Sequence, residues 1–290
     1  MFSHKKDAMK DMKHIRQSIE SKKAQPVQKP PDPPAKKHGD KFMTGVTGFD
    51  KLLTQGIPWG NSVIVEGGPG SGKTLFCLQL AHEFCKKGLK VLYMSFEEPE
   101  SRLKRHMRNF GWEPERYEKD GLLMIKRFNA LDIARSVEAL LSEAKKELLI
   151  DIQPVLIPKE FEPDLVCIDS LSSITSAFSG EESRFRIYME QLFRYLEGHN
   201  ISSFLIRETA NPTHVGGNFV ERGEAVSFLS DGIVIIYNVI YPDGKRERAL
   251  EILKMRGEDI NRKIVKFSIQ TKKGFVVFPD ELLTGKYTLT

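Results

Sequence analysis

The stretch Gly67-Gly68-Pro69-Gly70-Ser71-Gly72-Lys73-Thr74 decides how this chain is read. It has the form GxxxxGK[ST], the phosphate-binding loop of nucleoside triphosphatases. Its glycines let the backbone turn with no Cβ in the way, so successive N–H groups can point at phosphate oxygens. Lys73 supplies a point charge for β- and γ-phosphates, and Thr74 a hydroxyl for Mg²⁺. Such a loop works between a buried strand and a helix, where phosphate lies on the helix N-terminus. Both flanks agree. Ser62-Val63-Ile64-Val65-Glu66 is a β-branched run, and Leu75, Leu78, Ala81 and Phe84 recur at helical spacing. The expected phosphate cradle is therefore Gly68, Pro69, Gly70, Ser71, Gly72, Lys73, Thr74 and Leu75.

A phosphate loop needs a carboxylate on the far side of the metal, usually at the end of a buried strand. Asp164-Leu165-Val166-Cys167-Ile168-Asp169-Ser170 offers Asp169 after four apolar residues, so Thr74 and Asp169 are the expected metal ligands. Asp50 and Asp231 follow no such run. Further strands are expected at 90–96, 122–128 and 202–207, and helices at 99–110, 131–148 and 181–197. Residues 149–163 read as a connection and 208–226 as a long polar loop. From 231 onward the chain reads as β, with a turn at Tyr241-Pro242-Asp243-Gly244. Strand–helix alternation followed by hairpins predicts an α/β sheet finished by antiparallel strands.

Composition sets the outer limits. The chain has 290 residues, 40% of them apolar, enough for a large core. It has no run of eighteen apolar residues and no apolar signal segment, so a cytoplasmic protein with no membrane partner is expected. Cys77, Cys85 and Cys167 stand apart in apolar runs and read as reduced core residues. The net charge of +5 belongs to the N-terminus: residues 1–40 hold ten Lys/Arg against five Asp/Glu, and the remainder holds 34 of each sign. Within it, Ala8, Met12, Ile15 and Ile19 could line one face of a helix, and five prolines mark 26–34 as a linker. The expected organisation is a basic, Pro-rich tail over 1–40 and an ATPase-type domain over 41–290.

Several further segments, in this order, resemble the KaiC-type branch of the RecA superfamily. They are Thr44-Gly45-Val46-Thr47-Gly48-Phe49-Asp50 with Gly56-Ile57-Pro58, the phosphate loop, Ser95-Phe96-Glu97-Glu98-Pro99, and Cys167-Ile168-Asp169-Ser170-Leu171-Ser172. Ser230-Asp231-Gly232-Ile233-Val234 and Leu253-Lys254-Met255-Arg256-Gly257 complete the set. The resemblance implies a RecA-like core, ATP as ligand, and a homo-oligomeric ring, commonly a hexamer, with nucleotide between subunits. It makes Glu97 and Glu98 the acid pair, with Glu98 the choice for orienting the attacking water. A carboxylate there can equally cap the next helix, where negative charge is favoured. Lys254 and Arg256 match a pair that reaches the neighbour's γ-phosphate, and alternation on a strand puts both on one face. Arg207-Glu208-Thr209 falls where relatives carry a γ-phosphate sensor. Two departures stand out: Gln55 precedes Gly56, and Glu258-Asp259-Ile260 follows Gly257, where an acidic pair would weaken a phosphate contact. Little chain follows residue 278, so neither a second module nor a circadian autokinase role is expected. The alternatives to a ring ATPase are a recombinase-like module holding single-stranded DNA, and an ATP-switched scaffold docking a protein partner.

Overall fold

The computed structural model describes residues 39–143, 157–158, 160–178, 180–209 and 224–290. Contacts divide the chain into Met1–Ala35 and Lys36–Thr290, and all described residues lie in the second unit. The expected tail helix, the proline linker and most of the polar loop lie outside the described residues.

In chain order the strands are β1 (Lys41–Phe42), β2 (Ile57–Pro58), β3 (Ser62–Gly67), β4 (Val91–Ser95), β5 (Leu123–Arg127) and β6 (Leu165–Asp169). They continue as β7 (Ser202–Glu208), β8 (Gly232–Ile240), β9 (Arg246–Met255), β10 (Val265–Gln270), β11 (Gly274–Leu282) and β12 (Thr288–Leu289). The helices are α1 (Lys73–Lys86), α2 (Glu100–Asn109), α3 (Pro114–Lys119), α4 (Ala130–Glu143), α5 (Leu171–Ala177), α6 (Glu182–Gly198) and α7 (Glu224–Leu229). A 3₁₀ turn covers Phe49–Leu52.

The large sheet runs β11-β10-β9-β8-β3-β7-β6-β4-β5. From β8 to β5 every neighbour is parallel; β9, β10 and β11 add on antiparallel. This is the expected mostly parallel α/β sheet with C-terminal antiparallel strands. The alternation of side chains explains why its central strands read as continuous apolar runs. Val63, Val65, Tyr93, Cys167, Phe204 and Ile206 pack on the side holding α1, α2 and α3. Ile64, Leu92, Met94, Val166, Ile168 and Leu205 pack on the side holding α4, α5 and α6. Asp169 shares the parity of Cys167, so it projects toward α1.

Three helices were not expected. Pro114 at the first position marks α3. Ser170 caps α5, its Oγ accepting from Ser173 N. The third, α7, begins inside the stretch read as loop. Pro99 is the N-cap of α2 rather than part of its first turn.

The segment Thr44–Asp50 proves to be a splice. The Asp50 carboxylate accepts from Thr44 N at 2.8 Å, Thr44 Oγ1 at 2.6 Å and Gly45 N at 2.9 Å. Val277 N donates to Thr47 O at 2.9 Å, stitching this segment onto β11. A Cβ on Gly48, at φ +78°, would stand 2.0 Å from Val277 O, so only glycine fits this approach. Glu258 is turned inward: its side chain is 1% exposed and accepts from Lys41 Nζ at 2.6 Å and from Gln55 N. It clamps β1 to the end of β9 instead of facing outward.

His82 on α1 stacks on Trp112 at 5.0 Å, and its Nδ1 lies 3.0 Å from the Tyr117 hydroxyl. Burial, helped by the charge of Lys86 and opposed weakly by Glu113, lowers its pKa to about 4. Glu83 lies 3.8 Å from Nε2, but its carboxylate is taken by Lys86 at 3.0 Å. The unfolded chain takes this proton below the ordinary histidine value and the folded chain only near 4, so stability falls as pH drops through that window. The loss at this site between pH 7 and pH 5 should be about 2 kcal/mol. Chemical denaturation of the wild type and His82→Gln at both pH values checks this. A pH slope as steep in the variant would show that His82 is not the titrating group.

Candidate active site

The loop follows β3 and ends on α1. Helix α1 has no side-chain cap at its N-terminus; its N-cap is Gly72, at φ +112°. Its orphan N–H groups and positive end are therefore available to an anion. Gly67 closes the cradle from below: a Cβ there would meet Ile236 O at 2.4 Å and Ser71 Oγ at 2.7 Å. Ser71 Oγ is buried and has no hydrogen-bond partner among the described residues. An uncapped helix, an orphaned hydroxyl and a buried lysine are what a bound phosphate would satisfy.

Lys73 Nζ donates to Gly67 O and Gly68 O, both at 2.9 Å, and lies 3.7 Å from Glu208 Oε1. Burial lowers its pKa, and the carboxylates of Glu208, Asp169 and Glu97 work against that. Thr74 Oγ1 donates to Asp169 Oδ2 at 2.9 Å, and the Tyr93 hydroxyl donates to the same oxygen at 2.8 Å. Asp169 is 6% exposed. Burial raises its pKa to about 6; the two hydroxyls pull it down, while Glu97 and Glu98 push it up. A hydroxyl and a single carboxylate fit a hard divalent cation that keeps water and phosphate oxygens as its other ligands. Among the described residues no cluster of three or more His, Cys, Asp or Glu is gathered for a metal.

The turn after β4 brings in the acid pair. Phe96 N donates to Asp169 O at 2.6 Å, and Ser95 Oγ donates to Glu98 O at 2.7 Å. The two glutamates then diverge. Glu97 Oε1 accepts from Ser170 Oγ at 2.5 Å and Ser173 Oγ at 2.9 Å, which holds it beside Asp169. Glu98 Oε2 is buried without a hydrogen bond among the described residues, 3.9 Å from Arg102 Nε and 4.0 Å from His106 Nε2. Glu98 thus leans along α2, and Glu97 is the acid whose charge reaches Lys73.

Lys254 and Arg256 stand elsewhere. Lys254 Nζ donates to Ser227 O at 3.2 Å and Ser230 O at 2.5 Å. Arg256 donates to Asp231 Oδ1 at 3.2 Å and Phe228 O at 2.9 Å. Met255 pairs with Gly232, which lies beside Val63, whereas Gly67 pairs with Ile236. The two cations therefore sit about 13 Å along the sheet from their own loop.

Sequence reasoning missed Tyr93, Ser173 and Asn238. A lone tyrosine inside a buried strand was a signal, since its hydroxyl needs a partner. Asn238 had none: its Nδ2 donates to Pro69 O at 3.3 Å because its backbone pairs with Thr290 beside the loop.

Comparison with known proteins agrees with this geometry. The family model described as "ATPase: KaiC" matches residues 42–282. The circadian clock protein KaiC3 of Synechocystis is 30% identical over 240 residues, 83% of this chain but 46% of its own length, so the chain spans about half of that relative. A UPF0273 protein of Pyrococcus furiosus is 30% identical over 253 residues, covering 84% of this chain and 96% of its own. The crystal structure of a KaiC-like protein from Pyrococcus horikoshii superposes with a TM-score of 0.64 at 26% identity, over 82% of this chain and 99% of that one. With the loop, the strand-end acid and the sheet order all in place, the chain belongs to the KaiC family of ATPase domains.

Proposed function

We propose that this chain binds ATP with Mg²⁺ and hydrolyses it at a site closed by a neighbouring copy in a homo-oligomeric ring, a hexamer by family resemblance. The nucleotide state would then govern assembly or partner binding. The observation that carries this reading is the 2.9 Å contact between Thr74 Oγ1 and Asp169 Oδ2. It joins the loop hydroxyl to a strand-end carboxylate from a segment 95 residues away.

Magnesium, when bound, supplies neutralising charge to the phosphates. The loop N–H groups and Lys73 hold the phosphates, and Ser71 Oγ gains the partner it lacks. Glu97, fixed by the Ser170 and Ser173 hydroxyls, would accept a hydrogen bond from the attacking water. Lys254 and Arg256 would serve the phosphates of the next subunit, since their own loop is out of reach.

Calorimetric titration of the full chain with Mg-ATP, paired with phosphate release, tests the core of this. The wild type should bind ATP and release phosphate, and Lys73→Ala should lose about 100-fold in affinity, as expected for a charge-assisted phosphate contact. A wild type that binds no nucleotide would refute the proposal.

A further inference from the structure

A third carboxylate meets Lys73, and its position differs from the other two. Asp169 is occupied by the Thr74 and Tyr93 hydroxyls, and Glu97 by Ser170 and Ser173. The Glu208 carboxylate faces the Lys73 ammonium at 3.7 Å with its side chain 50% exposed. Its place is set by the fold. Strand β7 runs beside β3 with Glu208 opposite Gly67, the first loop residue. Ser172 Oγ accepts from Glu208 N at 2.8 Å, and Thr209 N donates to Gly67 O at 3.4 Å. The backbone at Glu208 is thus pinned to both the loop and α5.

A lysine of a phosphate loop addresses the β- and γ-phosphates. A carboxylate close to the same ammonium competes for that charge and repels the terminal phosphoryl group. A diphosphate leaves the terminal position unfilled and meets less of this repulsion. We infer that Glu208 is a specificity-determining residue that weakens triphosphate binding relative to diphosphate by competing for Lys73. This deepens the nucleotide reading above and rests on it. Glu208 favours release of a loosely held triphosphate and keeps the two nucleotides closer in affinity than the loop alone would. Half exposure limits the effect, because solvent and salt screen such a pair.

The test is titration of the full chain with ATP and separately with ADP, each at fixed Mg²⁺, on the wild type and Glu208→Gln. The substitution keeps shape and hydrogen bonding and removes the charge. ATP should bind about tenfold tighter to the variant and ADP less than about twofold tighter, and raising salt should shrink the difference. Glu208→Ala should shift the ATP-to-ADP ratio in the same direction, which separates charge from packing. Equal changes for both nucleotides, or weaker ATP binding, would overturn the inference while leaving the nucleotide reading intact. A wild-type chain that binds neither nucleotide would remove both.

Discussion

Glu97→Gln is expected to lower kcat for ATP by roughly 100- to 1000-fold with ATP affinity changed less than about threefold. The substitution leaves the shape of the turn and removes only the charge. Glu97 touches two serine hydroxyls and sits within the field of Asp169 and Lys73. These hydroxyls hold the carboxylate in one orientation, which is what handling a water molecule requires. Glu98→Gln should cost less than about tenfold, because its carboxylate is directed at Arg102 and His106 on α2. Single-turnover hydrolysis with nucleotide binding measured separately checks both variants. A collapse of turnover in Glu98→Gln with Glu97→Gln near normal would return the role to Glu98, where family resemblance alone had put it.

The second large effect tests the proposal that Arg256 completes the site of a neighbouring subunit. Arg256→Ala should reduce ATP turnover about 100-fold or more, in the range of a phosphate-contacting arginine supplied in trans. Lys73→Ala should abolish turnover by a different route, through loss of nucleotide. Mixing the two variants is the decisive measurement. A subunit carrying Arg256→Ala still has an intact loop, and one carrying Lys73→Ala still has an intact arginine. Where they meet in the right order, one site in the mixture is complete. Random assembly of equal amounts in a head-to-tail ring makes about a quarter of the interfaces complete. The mixture should therefore recover up to about a quarter of wild-type turnover. No recovery, from variants shown to be folded and to co-assemble, would remove Arg256 from catalysis in trans. It would leave Lys254 and Arg256 with the role they have within one chain, tying α7 and Asp231 to the end of β9.

Glu258 bears on this prediction. From sequence, an acidic pair directly after Gly257 looked unfavourable to a neighbour's phosphate. The Glu258 side chain is instead buried against Lys41 and the Gln55 backbone. Its charge is neutralised inside the chain, so it does not oppose the cations two and four residues earlier.

The sequence alone determined the phosphate loop, the strand-end acid and the sheet class, because each rests on a local rule. Gly67–Thr74 specifies its own backbone turn. Parallel strands buried on both faces must be apolar throughout, so β3, β4, β6 and β7 announce themselves. Asp169 stands out because a charge ending such a run needs a partner. The tertiary structure alone decided what depends on which side chains meet. Glu97 and Glu98 are adjacent in sequence, yet one turns to Ser170 and Ser173 at the start of α5, 73 and 76 residues away, and the other to Arg102 and His106 on α2; the first of these contacts is encoded by no local pattern. Tyr93 reaches Asp169 because β4 and β6 are neighbours in register. Glu208 reaches Lys73 because β7 lies beside β3. Lys254 and Arg256 keep their distance because β9 runs antiparallel to β8, so its C-terminal end, Met255 opposite Gly232, lies at the end of the sheet away from the loop. Periodicity shows which face a residue takes; strand order, fixed by the burial of the whole sheet, decides whom it meets.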